Sequence, residues 1–212
     1  MHNYIFLVSI LLVTYYMVIV KRLPALIGGF RLQSLFLFLI TVNFAFSEGE
    51  TALYIIAGLI FALKVILIPN FLAGITKKIK VNDNLGLLLN PQLSILIVLL
   101  LTYLSYLFTF NVMPFTDRMQ SATFALTLCV TMTGLFIMIF RLKAITQIVG
   151  LLVMENGLFL LAVTMCKGMP FLVEISIFLD VFISVIILGI FVYRINTLFT
   201  HIDVNKLSSL RG

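Results

Sequence analysis

VGLLVMENGLFLLAV, residues 149–163, decides the solvent in which this chain folds. Every residue but Glu155 and Asn156 is apolar or glycine, and the apolar run extends over 144–166. Roughly 20 such residues are what a helix needs to cross the hydrocarbon core of a bilayer. The rest of the chain agrees, with 62% hydrophobic and 10% charged residues. A soluble domain has no way to hide so much apolar surface. The net charge of +6 does not point to nucleic acid, because the basic residues are scattered between apolar runs and form no patch.

Working outward from 144–166, the sequence predicts an all-α integral membrane protein. It forms a single transmembrane domain of about seven spanning helices. The expected spans are 4–20, 24–46, 51–73, 91–110, 121–140, 144–166 and 171–193, followed by a tail over 194–212. The breaks between them are polar or proline-bearing: KRLP at 21–24, SEGE at 47–50, TKKIKVNDN at 76–84, NVMPFTDR at 111–118, RLK at 141–143 and CKGMP at 166–170. Loops this short leave no room for a soluble domain, so consecutive helices should pack as antiparallel neighbours.

Charge sets the expected orientation. Lys21, Arg22, Lys77, Lys78, Lys80, Arg141, Lys143, Arg194, Lys206 and Arg211 fall on one side. Arg118 and Lys167 fall on the other, with Glu48, Glu50 and Asp117. The positive side is expected to be cytoplasmic, which puts the N-terminus outside and the tail inside. MHNYIF has no basic residue ahead of the first apolar run, so an uncleaved first helix is expected.

A weak internal repeat relates spans 1–3 to spans 5–7. Gly28 precedes Gln33-Ser34 by five residues, as Gly150 precedes Glu155-Asn156. Lys21 and Lys143 each lie seven positions before those glycines. The pattern fits a parallel three-helix duplication joined by span 4, or chance likeness between apolar helices. In a duplication, Gln33 stands where the second copy has the acid.

Five ionisable residues fall within the spans: Arg31, Lys64, Glu155, Glu174 and Asp180. Arg31 lies roughly 10 Å from the cytoplasmic end of span 2, close enough to snorkel to the interface. Glu174 follows Pro170 in the first turn of span 7, where a carboxylate complements the helix N-terminus or marks an entrance. Helical rise puts Glu155 roughly 16 Å from the cytoplasmic end of its span, and Asp180 roughly 14 Å and Lys64 roughly 20 Å from the outer ends of theirs. All three therefore lie in the middle third of a core about 30 Å thick. Burial disfavours the charged form of a carboxyl and a neighbouring ammonium favours it, a balance that suits proton exchange. The other reading is a static Lys64–Asp180 or Lys64–Glu155 pair that holds helices together.

Nearby residues support close packing. Gly150 and Gly157 share a helix stripe and let another backbone approach. Asn156 can hydrogen-bond across helices. Pro69 removes the bond to the carbonyl of Val65 and either kinks span 3 or ends it. The phenylalanines and methionines read as packing and lipid-facing surface.

Cofactor chemistry is not expected in this chain. Cys129 and Cys166 lie far apart with no CxxC motif, and His2 and His201 lie near the chain ends. Iron–sulfur, nickel–iron and zinc sites need clustered thiolates, and a bis-histidine haem needs ligands inside the spans. There is also no phosphate-binding glycine loop and no Ser/His/Asp set.

VGLLVMENG at 149–157, MPFLVEISIFLD at 169–180 and the tail HIDVNKLSSLRG at 201–212 resemble the hydrogenase-4 component E family. That family provides a membrane subunit of formate-hydrogenlyase-type nickel–iron hydrogenases. The resemblance covers the whole chain and concentrates in residues 141–212. Spans 5–7 also look like the three-helix K subunit of bacterial complex I and the C subunit of multi-subunit cation/proton antiporters. By position, Glu155 matches the membrane glutamate in the second helix of the K subunit. Asp180, followed by VFISVIIL, matches the one in the third better than Glu174 does, although an aspartate departs from the pattern.

The resemblance implies a non-catalytic subunit in the inner membrane, beside antiporter-like subunits and a soluble hydrogenase arm. The nickel–iron and iron–sulfur centres would sit in those partners. Glu155, Asp180 or Glu174 would serve as proton-relay carboxylates, with Lys64, Asn156 and Gln33 pairing or tuning them. The alternatives are a purely structural anchor and an antiporter subunit.

Overall fold

The computed structural model describes residues 2–49, 51–78, 88–113 and 118–165, and these residues are helical apart from short connections. All belong to the first of the chain's two units, Met1–Ser176. The expected span 171–193, the tail 194–212, and with them Glu174 and Asp180, lie outside the described residues.

The helices are α1 (His2–Ile19), α2 (Leu23–Glu48), α3 (Thr51–Ile60), α4 (Ile68–Lys78), α5 (Pro91–Val112), α6 (Arg118–Phe140) and α7 (Ala144–Met165). A π-helical segment, Phe61–Leu67, joins α3 to α4 without a break. Among the described residues, five stretches are long and apolar enough to cross a membrane: Leu23–Ser47, Thr51–Gly74, Pro91–Val112, Gln120–Phe140 and Ala144–Thr164. Tyr4–Ile19 is a shorter apolar helix. This is the all-helical construction of an integral membrane protein, in which each span must satisfy its own backbone.

The boundaries have local causes. Pro24 and Pro91 fall in the first turns of α2 and α5, where a missing N–H costs nothing. Gly49, at φ 70°, closes α2 in the left-handed conformation, its N–H bonded to the carbonyl of Ala45 at 2.9 Å.

Helix α5 is built inside out. It buries Ser94, Val98, Ser105 and Thr109 and exposes Leu93, Leu96, Leu99, Leu100 and Leu104. Such a face suits lipid, and the buried hydroxyls stay satisfied by bonding back along the helix. Ser105 donates to Leu101 and Thr109 to Ser105, each at 2.8 Å. A second polar contact ties α1, α5 and α6 together. The Tyr15 hydroxyl lies 2.6 Å from Thr102 Oγ1, which lies 3.1 Å from the buried Cys129 thiol.

Helices α6 and α7 approach most closely, and glycines make this feasible. A Cβ on Gly150 would lie 2.4 Å from the backbone nitrogen of Met138, and one on Gly157 would lie 2.7 Å from that of Thr131. On the facing helix, a Cβ on Gly134 would lie 2.3 Å from the nitrogen of Met154. The stripe expected on α7 is therefore met by a third glycine on α6. Helix α6 also touches α1, and α2 lies against α1, α3, α4, the π segment and α7. Glu155 and Asn156 sit on the α7 face of that last contact.

Candidate functional site: a buried polar junction

The expected polar pairs Gln33-Ser34 and Glu155-Asn156 meet. Consecutive helical residues point about 100° apart, so Asn156 faces Gln33 and Ser34 while Glu155 reaches Lys64 beside them. Asn156 Nδ2 donates to Gln33 Oε1 at 3.1 Å and to Ser34 Oγ at 3.3 Å. On its other side, Asn156 Oδ1 accepts from Lys64 Nζ at 2.9 Å. Lys64 Nζ also lies 3.6 Å from Glu155 Oε1 and 5.9 Å from the centre of the Phe159 ring. Lys64 is 2% exposed, Asn156 2% and Glu155 5%. Of the two partners open to Lys64 in the sequence, the structure brings Glu155; Asp180 lies outside the described residues.

Lys64 is the central residue of the π segment. Ile68 N–H bonds to Leu63 O, a five-residue step that widens the turn. The next donor in that register is Pro69, which has none, so the segment reverts to α-helix there. The helix then runs on to Lys78, which corrects the reading of Pro69 as a terminator. Just beyond it, the exposed Arg31 donates to Asn70 Oδ1, tying α2 to α4.

The hydrogen bonds of the junction run in one direction. An ammonium has only donors, so Asn156 must turn its oxygen to Lys64 and its nitrogen to Gln33. Gln33 then offers its oxygen to Asn156, and its Nε2 donates to Thr14 Oγ1 at 2.7 Å. Thr14 can accept because its own proton goes to the carbonyl of Ile10, at 2.7 Å. A cation at one end and a backbone carbonyl at the other fix the same orientation for both amides. Each amide turns its negative end toward Lys64.

Thr14 escaped the sequence reading because a lone threonine in an apolar helix carries no signal. Arg141 lies in the connection between α6 and α7, as its place in the sequence implies, yet it is buried rather than facing solvent. It is 3% exposed and its guanidinium donates to Met17 O at 3.2 Å, Val18 O at 2.9 Å and Val20 O at 3.4 Å. It thereby caps the last turn of α1. Burial pushes Arg141 down to about 10, still charged at neutral pH. Its own carbonyl accepts from Gln147 Nε2 at 2.9 Å.

No family model and no solved structure matches the chain. An uncharacterized protein of Mycobacterium tuberculosis is 28% identical over 165 residues, covering 77% of this chain and 75% of that protein. Hydrogenase-4 component E of Escherichia coli K12 is 27% identical over 205 residues, covering 95% of this chain and 94% of that protein. The same protein from Escherichia coli O157:H7 gives the same values. The likeness to component E is distant but nearly end to end.

Proposed function

We propose that this chain is a non-catalytic membrane subunit of a complex-I-like nickel–iron hydrogenase, of the hydrogenase-4 or formate hydrogenlyase type, and that its buried carboxylates take part in proton translocation. The observation that carries the proposal is the buried Lys64–Glu155 pair, with Asn156 also accepting a hydrogen bond from Lys64, in a chain alignable with component E across 95% of its length. A purely structural subunit has no need to bury a carboxyl group at this depth. Replacing such a pair with apolar residues is often neutral or stabilising.

In this reading Glu155 is the exchanging group. Its carboxylate takes a proton by forming one O–H bond, and the new acid is neutral. Lys64 keeps its hydrogen bond to Asn156 Oδ1 in both states, so protonation does not strand the ammonium. What changes is the attraction between Lys64 and Glu155, which is strong in the low-dielectric interior and vanishes when the acid is neutral. That loss is the signal passed to neighbouring subunits. Asp180, or Glu174, would provide the next carboxylate.

The chain would sit in the inner membrane with its N-terminus outside and its tail in the cytoplasm. Its partners would be antiporter-like membrane subunits and a soluble arm, and that arm would hold the nickel–iron and iron–sulfur centres. The one-directional network also favours a second reading, a static anchor, since each side chain in it already donates to a fixed acceptor. Two tests separate the readings. Purification of the tagged chain from its own membranes should bring down a hydrogenase large subunit. Antiporter subunits alone would assign the chain to an antiporter. Glu155→Gln should assemble and lose proton movement, whereas a static anchor would assemble and keep it.

A further inference from the structure

The Lys64 ammonium is held among groups that attract cations. Around it stand an amide oxygen, Asn156 Oδ1 at 2.9 Å, and a carboxylate oxygen, Glu155 Oε1 at 3.6 Å. The face of Phe159 lies 5.9 Å away. Oxygen donors of this kind are what a hard cation such as sodium selects. The amide oxygen cannot turn aside, because Gln33, Ser34 and Thr14 fix its direction from behind. The surroundings thus form a cation site whose occupant is tethered to the protein.

We infer that Lys64 determines ion specificity: its ammonium is the resident cation of this site and keeps sodium out, leaving a proton on Glu155 as the one ion the site exchanges. A tethered ammonium is present at high effective concentration, and a free cation must displace it or sit beside a like charge. A proton meets neither obstacle, since it bonds to the carboxylate and needs no place among the oxygen donors. The inference rests on the proposed function in taking Glu155 as the anionic, exchanging partner.

The test measures cation binding rather than proton movement, so the inference and the pumping role can fail separately. Thermal unfolding of the tagged chain, kept in its assembled complex in native membranes, is followed in sodium chloride and in choline chloride. Wild type and Lys64→Arg should give equal midpoints in the two salts. Lys64→Met vacates the position, so a saturating excess of sodium should raise its midpoint by about 5–10 °C. Adding Glu155→Gln to Lys64→Met should abolish that rise. Lys64→Gln serves as a second variant, since it keeps a donor to Asn156 without the charge. A sodium response in wild type overturns the inference. So does the absence of any response in both Lys64→Met and Lys64→Gln, including a failure of both to assemble with or without sodium.

Discussion

Lys64 and Arg141 are both buried cations, yet one faces a carboxylate inside the bundle and the other, among the described residues, donates to backbone carbonyls at the end of α1. Arg141 reaches the last carbonyls of α1, which a helix end leaves without partners, and its fork matches several at once. None of those acceptors can change its charge. Lys64 lies between an amide, which is fixed, and Glu155, which can gain or lose a proton. A charge held by carbonyls locks one structure, while a charge held partly by a titratable group can distinguish two.

That contrast can be broken in order of expected effect. In sodium-free medium, Lys64→Met should destabilise the chain most, by about 3–5 kcal/mol, because it leaves a carboxyl buried without its ammonium. Lys64→Met combined with Glu155→Leu should recover most of that loss, as read from thermal midpoints in membranes. If the double variant is no better than the single, Lys64 is not held by Glu155 in the way described.

Arg141→Ala should come next, at about 3 kcal/mol, the scale of losing hydrogen bonds made by a charged donor. No second substitution elsewhere should rescue it, because its acceptors are backbone. Arg141→Lys should recover part of the loss, and full recovery would show that the fork geometry does not matter.

Gly150→Ala sharpens the comparison differently. Its new Cβ would lie 2.4 Å from the Met138 backbone, so α7 must shift, at a cost of about 1–3 kcal/mol for overpacking. Since α7 carries Glu155 and Asn156, proton movement should fall more than the stability loss alone explains. The smallest effect is expected for Thr14→Val, at about 1 kcal/mol for one hydrogen bond at the end of the amide chain. A large loss of stability there would mean that the network is anchored from α1 rather than from Lys64.

Much of this was legible in the sequence, for reasons that differ by residue. Apolar runs of spanning length and their proline and glycine punctuation mark the helices, because in a bilayer length and hydropathy nearly suffice. Glu155, Asn156 and Lys64 stood out because a polar group at membrane depth is too costly to be incidental. Helical rise alone put them at comparable depth. The π segment was not legible: Pro69 signalled a disturbance, but a five-residue register depends on how the turn packs against α2. Thr14 and Arg141 were missed because a single threonine, or a single arginine at a helix end, resembles many others. Their roles come from tertiary contacts about which local sequence is silent. That Lys64 meets Glu155 likewise depends on which helices pack together.

The most direct test of the central claim is proton uptake driven by hydrogenase turnover in membrane vesicles containing the assembled complex with Glu155→Gln. Glutamine keeps the size and polarity of the side chain and removes the exchangeable acid. The account predicts normal assembly and intact hydrogen chemistry in the soluble arm, with proton movement lost. Proton movement at the wild-type level in that assembled variant would contradict it.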